Sequence, residues 1–182
     1  MAAPELALSH FGLYVFDLPT MERFYTGLLG FVVTDRGLNR GREILFMSRN
    51  PSDHHQIVMV PGRTGSRDDQ VINQLSFRVA SLDDVKVFHA AIKDRTDVSE
   101  IRPISHGNAW SVYFRDPENN RLEVFTDSPW YVTQPRGDKL DLTLSNDEIA
   151  RQTEAACRDD PGFMPVAKWQ AEFKQRLAAA KH

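Results

Sequence analysis

Two apolar, β-prone runs of strand length stand at residues 9–15 and 73–79, and each leads into a stretch whose apolar positions have helical spacing. After the first run Met21, Phe24, Tyr25, Leu28 and Leu29 recur at that spacing; after the second, Leu82, Val85, Phe88 and Ile92 do. Pro19 suits a first helical turn, Ser81 with Asp84 reads as a capping box, and Gly27 and Gly30 punctuate the end of the first helix. Short β-like segments follow each helix: 31–34, 43–47 and 56–60 in the first half, 98–104, 110–114 and 122–125 in the second. Asp116-Pro117-Glu118-Asn119-Asn120 is a strong turn between the last two segments.

The halves repeat one another. Residues 9–25 lie over 73–89 at a shift of 64 without a gap, matching Val15 to Val79, Leu18 to Leu82 and Phe24 to Phe88. Each copy reads β-α-β-β-β, which predicts an α+β fold of two βαβββ modules, about 5–62 and 71–127, paired in one domain over 1–127. Residues 128–182 have a different texture. Ser128 to Pro135 reads as an extended arm, and residues 146–158 and 166–180 as two helices separated by Pro161-Gly162 and Pro165. This arm and helical tail are expected to pack on the modules or on a partner subunit.

Composition narrows the classes. The chain has 182 residues, 41% hydrophobic and 26% charged, enough for a real core and too apolar for disorder. A formal net charge of -3 gives no basic surplus for nucleic acid or an anionic membrane. The lone cysteine, Cys157, rules out an intrachain disulfide and fits a cytoplasmic setting. The first ten residues lack the basic and apolar regions of a secretory leader.

Three positions carry candidate chemistry. His10 and Gln74 occupy the same place at the start of each module's first strand, so a pseudo-twofold would aim both into a shared cleft. Glu123 is a carboxylate inside the apolar run Arg121-Leu122-Glu123-Val124-Phe125, expensive to bury unless paired, protonated or metal-bound. With Leu122 and Val124 facing a helix, Glu123 would face the other way. Each has a plainer alternative: a strand-edge histidine, a hydrogen-bonding glutamine, a carboxylate paired with Arg121.

With these residues in place the chain resembles the vicinal oxygen chelate superfamily over roughly residues 6–127, and within it the type I extradiol dioxygenases, which open catechol rings with non-haem Fe(II). The resemblance implies metal ligands at His10, Gln74 and Glu123. His54-His55 leads into Gln56-Ile57-Val58, and His106-Gly107-Asn108 precedes Ser111-Val112-Tyr113. By the same resemblance His55, His106 and Tyr113 line the substrate pocket. His55 would stabilise bound dioxygen, while His106 and Tyr113 would hold substrate oxygens and move a proton. His54, adjacent to His55 on a strand, would point away from the cleft. The dioxygenases have a histidine where this chain has Gln74, and Gln is a ligand in the superfamily's glyoxalase I enzymes. Those enzymes use a fourth acid in the last strand of the first module, where this chain has Gln56-Ile57-Val58-Met59-Val60.

The expectation is an extradiol-type dioxygenase acting on a catechol or similar dihydroxylated aromatic with O₂. Its metal would be Fe(II), with Mn(II) or another divalent ion as the alternatives. A glyoxalase-type isomerase or lyase and a metal-free binding protein of the bleomycin-resistance type are the competing readings. Phe11, Phe77, Trp110 and Phe125 form either a platform for a flat substrate or ordinary core. Trp130 and Tyr131 are candidates to close one mouth of the cleft. Self-association is left open.

Overall fold

A computed structural model describes residues 6–70 and 72–180. Positions 1–5, the core of the segment read as lacking a leader, lie outside the described residues. By internal contacts the chain divides into two units. One comprises residues 6–70 with Asp116–Asn120, and the other 72–115 with 121–180.

The first unit runs β1 (Phe11–Val15), α1 (Leu18–Gly27), β2 (Val32–Asn39), β3 (Arg42–Ser48) and β4 (Ile57–Pro61). Its sheet has the order β1-β4-β3-β2, with β1 parallel to β4 and the other pairs antiparallel. Asp17 caps α1 by accepting from the Thr20 amide at 3.1 Å, and Pro19 sits in the first turn, where no helical N–H is needed. Leu18, Met21, Phe24 and Tyr25 bury the apolar side of α1, with Leu13, Val15, Leu45, Met47, Ile57 and Met59 also in the core. Full burial of each large side chain contributes about 1.5–3 kcal/mol.

The second unit repeats this plan with β5 (Leu75–Arg78), α2 (Leu82–Ile92), β6 (Ser99–Ser105), β7 (Ala109–Arg115) and β8 (Arg121–Asp127). Here β5 runs parallel to β8, as β1 does to β4. The 64-residue offset holds at the element level, since Phe11 and Leu75 open equivalent strands and Leu18 and Leu82 equivalent helices. Ser81 caps α2 from the Asp84 amide, and Phe88 packs on Phe114 of β7 at 5.3 Å. Leu122 and Val124 are buried, on the face of the sheet that α2 covers.

The arm and tail belong to this second unit. Strand β9 (Trp130–Tyr131) pairs with β11 (Met164–Pro165), and β10 (Asp138–Lys139) extends the edge of β6. Helix α3 (Asn146–Cys157) is tied to the sheet by the Trp110 indole, which donates to Thr153 at 2.9 Å. Trp110 is therefore a core residue under α3, not part of a substrate platform. Trp130 packs edge-on to Trp110 of β7 and lies 6.3 Å from Phe163, while Tyr131 stacks on Trp169 of α4 (Val166–Ala180) at 5.0 Å, so both side chains meet rings of the tail.

Strand β2 runs on to Asn39, five residues beyond the 31–34 segment that the sequence predicts. The segment beyond, Asp35-Arg36-Gly37-Leu38-Asn39, lacks buried apolar positions, and its pairing with β3 holds it extended. Arg36 reinforces that pairing through contacts with Glu22 at 2.5 Å and Glu43 at 3.0 Å.

Candidate functional site

In the second unit the side chains aimed away from α2 form one polar cluster. Tyr113 and Glu123 are directly opposed on β7 and β8, and Glu123 is opposed in turn by Ser76 on β5. Glu123 is only 6% exposed. One of its oxygens, Oε2, accepts from the Gln74 amide nitrogen at 2.9 Å and from the Ser76 hydroxyl. Its Oε1 lies 3.8 Å from His106 Nε2. Among the described residues no lysine or arginine forms an ion pair with this carboxylate, so it is buried among neutral groups apart from that imidazole.

His106 is held at both nitrogens. Its Nδ1 is 2.5 Å from the Arg136 carbonyl, and its Nε2 is 3.0 Å from the Tyr113 hydroxyl. A carbonyl only accepts, so Nδ1 carries the proton and donates. In the neutral ring Nε2 then holds the lone pair and faces the Tyr113 hydroxyl, whose one proton it shares as acceptor with the Glu123 carboxylate. Burial, followed by the Glu123 carboxylate, pushes the Tyr113 phenol well above its ordinary range, which keeps it a neutral donor. Gly107 makes the turn after His106 with φ +76; a Cβ there would collide with Val132 and lie 2.8 Å from Cys157 Sγ. Side chains of the arm and of α3 thus pack directly against this loop.

In the first unit the histidines gather. The His10 and His55 rings are 4.3 Å apart, and His55 also packs edge-on to Phe46 at 5.1 Å. His54 is exposed, as expected, yet its ring also meets that of His55. The two histidines lie in the loop before β4, where strand alternation does not apply, and His54 Nδ1 is 2.9 Å from His55 Nδ1. His54 Nε2 reaches Asp35 at 2.6 Å. The result is a chain Asp35–His54–His55 ending against His10. Loss of hydration, then the neighbouring His10 and His54, hold the His55 imidazole below its ordinary value, which favours its neutral form.

The structure therefore groups His10 with His55, and Gln74 with Glu123, His106 and Tyr113. Sequence reasoning missed Asp35, His54 and Ser76. The repeat did contain a signal for Ser76, because Gly12 occupies its place in the first module and has no side chain there. The parallel registers are also informative. Ser76 pairs with Glu123 as Gly12 pairs with Val58, so the first module carries an apolar residue where the second has its acid.

The donors suit a divalent cation. A buried carboxylate without a lysine or arginine partner, an amide and an imidazole are oxygen and nitrogen ligands of the kind Fe(II) and Mn(II) accept. Gln74 presents its NH₂ to Glu123; a half-turn of the amide about its last bond brings the oxygen there instead.

A family model described as the Glyoxalase/Bleomycin resistance protein/Dioxygenase superfamily matches residues 7–124. Biphenyl-2,3-diol 1,2-dioxygenase 3 of Rhodococcus globerulus is 24% identical over 126 residues, covering 66% of this chain and 63% of that protein. The chain thus spans less than two thirds of that relative's length. A glyoxylase/bleomycin resistance protein/dioxygenase domain from Frankia sp. EAN1pec is similar with a TM-score of 0.58 at 25% identity, over 68% of this chain and 93% of that one. The fosfomycin resistance protein FosX of Listeria monocytogenes, in a structure with Mn(II) and sulfate, gives 0.53 at 20% identity, over 67% and 93%. The repeated βαβββ plan and the match across both modules together establish that this chain belongs to the glyoxalase/bleomycin resistance/dioxygenase superfamily, the vicinal oxygen chelate fold.

Proposed function

We propose that the protein is a metal-dependent dioxygenase of the extradiol type, acting on a catechol or similar dihydroxylated aromatic with O₂. The observation that carries this reading is the Tyr113–His106–Glu123 cluster. It puts a proton acceptor with a fixed tautomer, a neutral hydroxyl donor and a buried carboxylate on one sheet face. The dioxygenase relative supports the reaction class.

The ligand positions carried over from the resemblance are His10, Gln74 and Glu123. When bound, Fe(II) supplies a centre at which two neighbouring hydroxyl oxygens and O₂ meet. The chain's own residues do the rest. His106 Nε2 accepts a proton from a substrate hydroxyl and returns it later, with its proton on Nδ1 tied to the arm. Tyr113 donates to a substrate oxygen. His55, favoured neutral and backed by His54 and Asp35, holds a polar oxygen species by hydrogen bonding.

A second reading has its own observation. Glu123 Oε2 already receives two hydrogen bonds, from Gln74 and Ser76, which satisfies that oxygen without a metal and favours a small-molecule binder of the bleomycin-resistance type. One experiment separates the two. Protein purified anaerobically with Fe(II) is analysed for metal beside a Glu123→Ala variant, and both are offered a catechol panel monitored for yellow ring-fission products. Near-stoichiometric metal and turnover, both lost in the variant, are the expected result. Absence of metal and turnover in the parent protein overturns the dioxygenase reading and leaves the binder.

A further inference from the structure

The first sheet carries a feature that the residues named so far leave unused. Along β1 the positions facing away from α1 are Gly12 and Tyr14, and His10 precedes them in the same alternation. On β3 the same face holds Ile44 and Phe46, and on β4 Val58 and Val60. At the far end of this face from His10 lies a cavity of about 540 Å³ lined by Tyr14, Asn39, Arg40, Arg42, Ile44 and Val60. Phe46, one step up β3 from Ile44, is the residue against which His55 packs. The cavity and the histidines therefore occupy one continuous sheet surface within one unit.

Its charge is one-sided. Neither Arg40 nor Arg42 forms an ion pair among the described residues, although Arg36 on the same hairpin forms two. Glu43, the nearest acid in sequence, is spent on Arg36 on the helix side of the sheet. Two guanidiniums without a counter-charge repel one another, and an anion would relieve that. The backbone is also costly here. Arg40 has φ +52 and Gly41 φ +77 at the tip of the β2–β3 hairpin, a turn that asparagine and glycine fill more easily than arginine. The Arg42 guanidinium lies 3.5 Å from where a Cβ on Gly62 would stand, at a glycine with φ +120. The Asn39 amide and the Tyr14 hydroxyl, on a side chain that is 62% exposed, add neutral donors.

We infer that this cavity is an anion subsite which binds a carboxylate of the substrate through Arg40 and Arg42, assisted by Asn39 and Tyr14. The inference rests on the reading of the protein as an enzyme for a dihydroxylated aromatic, and it narrows that class. Tyr14 on β1 is four residues beyond His10, which precedes the strand, roughly 13 Å at the rise of an extended chain. A carboxylate on the same ring as the hydroxyls falls short of that distance. The substrate class is a dihydroxylated aromatic extended by about one further ring length, with a carboxylate at its distal end. Guanidinium forks bind carboxylates in two parallel hydrogen bonds, so arginine is the residue type such a group calls for.

The test uses probes that do not chelate, so that it is independent of the metal. Binding of biphenyl-4-carboxylate and of its neutral carboxamide is measured calorimetrically on the full chain, on Arg42→Gln and on Arg40→Asn, the last chosen because asparagine tolerates the left-handed turn. The carboxylate is expected to bind roughly tenfold or more tightly than the amide. That preference is expected to fall towards parity in either variant and to shrink as salt is raised. Equal binding of the two probes by the parent protein, or no binding of either, overturns the subsite. So does a preference that survives in both variants. The reading beneath it is checked separately by turnover of neutral 2,3-dihydroxybiphenyl. Turnover without a carboxylate preference removes the subsite and keeps the dioxygenase, and a carboxylate preference without turnover of any catechol does the reverse.

Discussion

Replacing Glu118 by alanine removes a carboxylate with no measurable exposure from the turn between β7 and β8. Its Oε1 accepts from the main-chain amides of Phe16 and Asp17, both at 2.7 Å, immediately before α1 begins. Hydrogen bonds to a charged acceptor are worth about 1.5–3 kcal/mol each, so two are worth about 3–6 kcal/mol. Part of this is recovered because a carboxylate no longer has to be stripped of water. Its Oε2 makes no hydrogen bond and lies 3.6 Å from the nearly buried Arg63, whose attraction offsets part of that cost. Arg63 itself keeps its bonds to the carbonyls of Glu118, Arg67 and Asp69, so its charge is not orphaned. The net loss is about 3 kcal/mol, a large share of a domain's usual margin. In a chain of this size it lowers the melting temperature by about 6–12 °C. Differential scanning calorimetry on Glu118→Ala, beside the exposed helical control Glu154→Ala, measures it. A Glu118→Ala melting point within about 2 °C of the control would show that the two amides find other partners, and the reasoning would fail.

Other expectations follow from the same packing. Gly107→Ala introduces a Cβ at φ +76 into contact with Val132 and Cys157; it is expected to cost at least about 2 kcal/mol in urea unfolding. The Tyr25 phenol is raised well above 10.0 by burial, then by Asp116 and Glu118. The fold keeps that proton where the unfolded chain would lose it, so stability is whole below about pH 10 and declines above it. Tyr25→Phe should flatten the decline in an alkaline melting series. Burial raises the Cys157 thiol, so the native protein should react with a thiol reagent far more slowly than the protein in denaturant. Gln74→His, which supplies an imidazole in place of the amide, is expected to tighten Fe(II) binding, read by metal competition with a chelator.

The repeat made most of the fold legible, because strand and helix periodicities are local and the 64-residue offset carries both. Ser81 and Asp84 announced the start of α2 by their side-chain chemistry alone. Strand β2 was harder to see. Residues 35–39 owe their strand to β3 across the hairpin and to Arg36 between Glu22 and Glu43, partners that a local window does not contain. Glu123 stood out because its neighbours are apolar, whereas Ser76 became part of the cluster only through the register of β5 on β8. The contact of His54 with His55 was not legible, because the dipeptide lies in a loop before β4 and not on a strand. In a loop, adjacent rings are free to meet, and here they do. Glu118 read as turn chemistry, since nothing in Asp-Pro-Glu-Asn-Asn reveals that one carboxylate accepts from amides a hundred residues earlier.

The matched family segment ends at residue 124, yet the carbonyl that fixes the His106 tautomer belongs to Arg136. Gln134 adds a second tie from its amide to the His106 carbonyl at 2.8 Å. The matched segment supplies the imidazole, and the arm beyond it supplies the carbonyl that sets which nitrogen is basic. Moving that carbonyl would change the direction of proton flow in the cluster while every residue of the matched segment stayed the same. Comparisons confined to the common modules would miss such a difference.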